Sequence, residues 1–152
     1  MSEQSFDLVV LGGGSGGYAA ALRAVQLGFS VGLVEKGKLG GTCLHRGCIP
    51  TKALLHSAEV ADVTRESEKY GVAATFQGID IQAVTAYREG IVASKFKGLQ
   101  GLIKARGITV IEGEGRLISP RASFRSAAVT SGSMTDAVLP TTAGGGTSKP
   151  LG

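Results

Sequence analysis

A cluster of glycines, Gly12-Gly13-Gly14-Ser15-Gly16-Gly17, separates two segments of different character. Before it, Phe6 to Leu11 is a short apolar run, the pattern of a strand buried on both faces. After it, Ser15 to Leu27 is rich in helix formers, and Gly28 stands as its C-terminal stop. Ser30 to Val34 is a second apolar strand closing on Glu35, so residues 6 to 35 form a strand, helix, strand unit of the usual size, about 30 residues. Such a crossover predicts a parallel sheet.

The glycines satisfy G-x-G-x-x-G at Gly12, Gly14 and Gly17. Gly12 permits the tight turn, Gly14 lets a pyrophosphate approach the backbone, and Gly17 lets helix and strand pack closely, while the unpaired N–H groups of the helix face the anion. Glu35 ends the next strand, where its carboxylate can accept hydrogen bonds from a ribose 2′-hydroxyl and would repel a 2′-phosphate. The pattern fits FAD or NAD and not NADP. The blander alternative is a flexible glycine turn before an ordinary helix, with Glu35 a solvated strand end.

Past the loop Lys36 to Gly47, Pro50 suits the first turn of a helix running to about Lys69, with Leu54, Leu55, Ala58, Val60 and Ala61 as its apolar stripe. A longer helical pattern spans Asp80 to Arg106, interrupted by Gly90, Gly98 and Gly101. Gly107 ends it, and Ile108 to Ile111 is a further strand leading into Gly113 to Ile118. This alternation predicts an α/β fold. From Pro120 to Gly152 most residues are Ser, Thr, Ala, Gly or Pro without sustained period. The expected organisation is therefore a nucleotide-binding part, 1–119, and a low-complexity disordered tail, 120–152.

At 43% hydrophobic and 18% charged residues, the 152-residue chain has enough apolar matter for one core. Its net charge of +4 is dispersed, and with no Trp, three Tyr and five Phe it lacks a nucleic-acid platform. The apolar run at Leu8 breaks at Gly12 and follows Glu3 and Asp7, unlike a signal peptide or membrane span. A cytoplasmic chain without nucleic-acid or membrane partners is expected.

The two cysteines, Cys43 and Cys48, lie five positions apart in Gly40-Gly41-Thr42-Cys43-Leu44-His45-Arg46-Gly47-Cys48-Ile49-Pro50-Thr51-Lys52. In a regular helix five residues rise about 7.5 Å, so a bond between them needs an irregular turn, which Gly47 makes possible. With Pro50 in the first helical turn, Cys48 sits at the positive helix end, where its thiolate is favoured, and Cys43 lies out in the loop. Structural or unpaired cysteines and a zinc site completed by His45 and His56 remain alternatives. Lys52 is either a surface lysine or the neighbour of an electron-rich partner. His45 is read as a solvated loop residue, with a general base as the sharper alternative.

Taken together, the loop at 12–17, the acid at 35 and the segment 40–52 resemble the N-terminal region of the flavoprotein disulfide reductases. Cys48-Ile49-Pro50-Thr51-Lys52-Ala53-Leu54-Leu55-His56-Ser57-Ala58 is more similar to the lipoamide dehydrogenases than to glutathione or mercuric reductases, and the resemblance runs from about Phe6 to Ser119. It implies FAD held by Gly12, Gly14, Gly17 and the segment Glu35 to Cys43, including Lys36, Gly41 and Thr42. Lys52 would stand near the flavin ring and Gly115 beside the adenosine part.

It also implies that the cysteine matching Cys43 exchanges with dihydrolipoamide, that the one matching Cys48 contacts the flavin as thiolate, and that electrons pass through FAD to NAD. The implied partners are a lipoyl-bearing protein or small dithiol and a second copy of the chain.

The family's closing strand, NAD-binding loop and interface domain have no counterpart here, and a truncated or frameshifted chain with an incomplete sheet, unable to turn over alone, is the expectation. A stand-alone dinucleotide-binding or thiol-redox module without NAD-linked turnover is the alternative.

Overall fold

Three short apolar runs become the parallel strands β1 (Leu8–Leu11), β2 (Val31–Glu35) and β3 (Thr109–Glu112) of the computed structural model. It describes residues 4–117, 123–127 and 134–138. The sheet order is β1-β2-β3, with β2 central. In register, Leu8 faces Val31 on one side of β2, and Glu35 faces Glu112 on the other. The parallel arrangement and the α/β class expected from the sequence are both present.

Helix α1 (Ser15–Gln26) supplies the crossover between the parallel strands β1 and β2, and Gly28, with φ +89°, lets the chain turn after it. Side chains alternate along a strand, so Val31 and Leu33 point to one face of β2. They pack there with Ala21 and Ala24 of α1, with Leu39 and Ile108, and with Ile103 of α4 (Ile81–Ala105). Leu33 and Ile103 are the largest fully buried side chains, and burial of each stabilises the fold by about 1.5–3 kcal/mol. At the opposite end of the strands, the Asp7 carboxylate accepts hydrogen bonds from the Ser30 amide at 2.8 Å and the Ser30 hydroxyl at 2.6 Å. The Asp7 amide donates back to Ser30 Oγ at 2.9 Å, so the start of β1 is tied to the start of β2.

α4 is one helix of 25 residues, uninterrupted by Gly90, Gly98 and Gly101. Its N-cap, Asp80, accepts hydrogen bonds from the amides of Gln82 at 2.8 Å and Ala83 at 3.0 Å. Such a cap contributes about 1 kcal/mol, comparable to the penalty of one helical glycine. The helix expected to begin near Pro50 is α3 (Cys48–Arg65), followed by a 3₁₀ turn over Ser67–Tyr70. Among the described residues, no helix is long and apolar enough to cross a membrane.

On the other face of β2 lies a second sheet, antiparallel and ordered β4-β5-β6: β4 (Glu114–Leu117), β5 (Ser123–Ala127) and β6 (Met134–Val138). No element is expected from the sequence after Pro120. The two stretches described there are strands, because cross-strand pairing such as Gly115 with Ser126 supplies an order that local propensity does not reveal. The other residues of the expected tail lie outside the described residues. Gly115 is where the two sheets meet. A Cβ on it would stand 2.5 Å from Leu11 Cδ2 and 3.2 Å from Val34 Cγ1.

Candidate functional site: a glycine loop joined to a disulfide

The loop between β1 and α1 is shaped by its glycines. Gly12 adopts φ +92°, a conformation that disfavours a side chain. A Cβ on Gly17 would overlap the carbonyl oxygen of Gly12, so the missing side chain is what permits α1 to sit this close to β1. A Cβ on Gly14 would meet nothing within 4 Å, which leaves the backbone there open to an approaching group. Gly14 is also the N-cap of α1, and no side chain caps the helix and no acidic residue occupies its first turn. Its unpaired N–H groups and the positive end of the helix dipole are thereby presented to an anion.

At the C-terminal end of β2, the two oxygens of Glu35 are used separately. Oε2 accepts a hydrogen bond from the Gly13 amide at 2.6 Å, and Oε1 accepts one from the Gly37 amide at 2.7 Å. Lys36 points elsewhere and pairs with Glu114 across 3.8 Å of exposed surface. The chain then returns to the glycine loop. The Gly40 amide donates to the Gly13 carbonyl at 2.8 Å, and a Cβ on Gly41 would lie 2.9 Å from Gly14 Cα. Gly40 and Gly41 both have positive φ, +102° and +59°, so this glycine pair carries the chain past the loop at contact distance.

Directly after them the segment expected to be a loop forms a single helical turn, α2 (Gly41–His45), holding Thr42 and Cys43. The location of Cys43 is thus corrected: it belongs to this turn, half-buried, while Cys48 is the exposed first residue of α3. The two are joined in a disulfide with Cα atoms 4.7 Å apart. Gly47 makes the irregular turn that this needs. A Cβ there would stand 3.0 Å from the Thr42 carbonyl oxygen and 3.3 Å from Cys43 Cα. Bonded to each other, the cysteines are not zinc ligands in this state.

Cys48 and Lys52 are four residues apart in α3 and so share one helix face, on which both are exposed. His45 is not the solvated loop residue expected from the sequence. It is half-buried, its Nε2 lies 2.8 Å from the Leu39 carbonyl oxygen, and its ring meets Phe96 edge-on at 5.0 Å. A carbonyl only accepts, so Nε2 carries the hydrogen. His56 is exposed on α3, with Nδ1 3.2 Å from Glu59.

The structure therefore gathers Gly12, Gly14, Gly17, Glu35, Gly41, Thr42 and the cysteines around the C-terminal end of the sheet. Gly115 lies beneath the ends of β1 and β2, packed against Leu11 and Val34. Gly13, Gly37 and Gly40 lie within the glycine cluster and the Glu35 to Cys43 segment picked out in the sequence, but the sequence does not show their backbone hydrogen bonds to Glu35 and to each other. The adjacent glycines at 40 and 41 are the one sequence signal that could have flagged a close approach.

The sequence of the chain has known relatives. The sequence profile of the pyridine nucleotide-disulphide oxidoreductases matches residues 6–135. The chain belongs to this family. Curated relatives include the dihydrolipoyl dehydrogenase of Bacillus subtilis, 47% identical over 115 residues, which make up 76% of this chain and 24% of that protein. That of Chlamydia trachomatis is 46% identical over 116 residues, 76% of this chain and 25% of its own length. The mitochondrial dihydrolipoyl dehydrogenase of Pisum sativum is 43% identical over 116 residues, 75% of this chain and 23% of its own. The resemblance to lipoamide dehydrogenases, expected from about Phe6 to Ser119, is borne out, and the chain spans about a quarter of the length of these relatives.

Proposed function

We propose that the chain carries the nucleotide cradle and redox disulfide of a dihydrolipoyl dehydrogenase-like flavoprotein disulfide oxidoreductase. Its substrate is dihydrolipoamide on a lipoyl-bearing protein, or a small dithiol. The observation that carries this reading is the bond between Gly40 and Gly13, which fastens the Cys43–Cys48 segment to a loop fit for a diphosphate.

FAD is the group the cradle would hold, and when bound it supplies a two-electron acceptor for the reduced dithiol, with NAD the onward acceptor in the longer family members. Gly12, Gly14, Gly17 and the first-turn amides of α1 would hold the diphosphate, with Gly14 the point of closest approach. Glu35 would take the ribose hydroxyls. Lys36, Gly41, Thr42, Lys52 and Gly115 complete the proposed binding set. Homodimerisation and a cytoplasmic setting extend from the same resemblance.

The chemistry of the chain's own residues is thiol–disulfide exchange. A substrate thiolate attacks Cys43 Sγ, the Cys43–Cys48 bond breaks, and Cys48 leaves as a thiolate. Because Cys48 begins α3, the helix dipole favours that leaving group by about 0.3–1 kcal/mol. The second substrate thiolate then attacks the substrate sulfur of the mixed disulfide and releases Cys43. The substrate leaves as its disulfide, having lost an electron pair and two protons, and both cysteines are reduced.

Incubation of the full chain with one equivalent of dihydrolipoamide tests this step by counting free cysteines after removal of the small thiol. Two per chain, with one lipoamide disulfide formed, is the expected result. A Cys43–Cys48 pair that stays oxidised, together with failure to retain added FAD, would contradict the reading.

A further inference from the structure

We propose that Glu35 is a positioning residue for the glycine loop, over and above any contact with ribose: its carboxylate holds Gly13 and Gly37 together before a nucleotide arrives. This inference rests on the dinucleotide reading above and deepens it. The geometry is one of division. One oxygen takes the Gly13 amide at 2.6 Å and the other takes the Gly37 amide at 2.7 Å, both charge-assisted and near the short end of their range.

Gly13 is held from its other side as well, through its carbonyl and the Gly40 amide at 2.8 Å. The peptide groups on either side of Gly13 are thus fixed to the end of β2 and to the disulfide segment, and Gly14 follows immediately with its open face. A Cβ on Gly13 would stand 2.6 Å from Leu39 Cδ2 and 3.2 Å from Glu35 Oε2, so the absence of a side chain lets the carboxylate close on the backbone.

Each carboxylate oxygen has two acceptor directions and gives one to an amide. The remaining direction on each is available to one hydroxyl of a vicinal diol. Loop-holding and ribose recognition can therefore coexist on one side chain.

The two roles separate in Glu35→Gln. The amide keeps one accepting oxygen and turns an N–H donor toward the other backbone N–H, so one loop contact must break. Removing a negative charge beside a phosphate site, by itself, strengthens anion binding. A residue that only recognises ribose would therefore leave inorganic pyrophosphate binding unchanged or tighter in Glu35→Gln, and weaken ADP alone. A residue that positions the loop weakens both.

The experiment is calorimetric titration of the full chain, wild type and Glu35→Gln, with ADP and with inorganic pyrophosphate. It is paired with a measurement that needs no variant, the scalar coupling through the hydrogen bond between Gly13 ¹⁵N and Glu35 ¹³Cδ in the nucleotide-free wild type. We expect the coupling to be present, and both ligands to bind Glu35→Gln several-fold more weakly.

Absence of the coupling overturns the proposal even if the variant fails to fold, as does pyrophosphate bound equally or more tightly by a folded variant. A wild-type chain that binds neither ADP nor pyrophosphate overturns the dinucleotide reading itself, and the positioning role with it. The first two results leave that reading standing, so the two failures are distinguishable.

Discussion

The Gly40 amide donates to the Gly13 carbonyl at 2.8 Å, so the segment leading to Cys43 and Cys48 is fixed to the loop that opens toward an anion. Two sites that are separate in sequence share a backbone hydrogen bond. Neither can shift far without the other.

Gly40→Ala tests that junction. Gly40 has φ +102°, and a Cβ there would stand 2.8 Å from Leu44 Cβ, with Leu44 buried beneath it. Left-handed backbone costs a side-chain-bearing residue about 1–2 kcal/mol before the contact with Leu44 is counted. The substitution is expected to lower the midpoint of urea unfolding and to weaken FAD retention together.

Gly14 and Gly17 belong to one motif and are expected to respond differently. Gly14→Ala adds a methyl to open space at ordinary backbone angles, φ −68° and ψ −176°, so thermal stability should stay near wild type while FAD binding falls by at least tenfold. Gly17→Ala forces α1 away from the Gly12 carbonyl oxygen and should destabilise the nucleotide-free chain by about 1–3 kcal/mol. Thermal and urea unfolding, read beside FAD titration, separate the two.

A pH dependence attaches to Asp7. Hydrogen bonds from the Ser30 hydroxyl and then the Ser30 amide hold its carboxyl below its ordinary value of 3.8. A depressed folded-state value means that the contribution is fully present above the unfolded value and is lost as pH falls through the folded one. Asp7→Asn should therefore lower the melting temperature at neutral pH, and the gap between variant and wild type should narrow as pH falls below 3.8.

Gly47→Ala should disturb the disulfide more than the fold. The added Cβ meets backbone, the Thr42 carbonyl at 3.0 Å and Cys43 Cα at 3.3 Å, and neither can rotate aside as a side chain would. The fraction of Cys43–Cys48 oxidised in a graded glutathione buffer should fall relative to wild type, with unfolding midpoints of the reduced proteins nearly equal.

Much of this arrangement was legible because it is local. The strand, glycine loop, helix and strand through Glu35 follow from apolar runs and from Gly12, Gly17 and Gly28, each needed where the chain turns or packs closely. What escaped was set by contacts between distant segments. α2 has five residues beginning at a glycine, too short for any helical period. α4 passes through three glycines on the strength of its Asp80 cap and the burial of Ile103. β5 depends on pairing with β4, and β6 on pairing with β5, and their short sequences, SFRSA and MTDAV, do not announce it. His45 looked solvated because its partners, the Leu39 carbonyl and Phe96, meet it only in the folded chain. Glu35 was legible as an acid at a strand end, whereas its hold on Gly13 and Gly37 belongs to the tertiary structure.

The central claim is that the Cys43–Cys48 pair and a flavin held by the glycine loop form one electron-transfer unit. Its most direct measurement is the visible absorption of the FAD-loaded full chain during anaerobic titration with dihydrolipoamide. The account expects the flavin spectrum to change in step with opening of the disulfide, saturating near one dithiol per chain, and expects Cys43→Ser and Cys48→Ser to abolish that response. A flavin spectrum that stays constant while the disulfide opens, or that still responds as in wild type when Cys43 or Cys48 is replaced by serine, would contradict it.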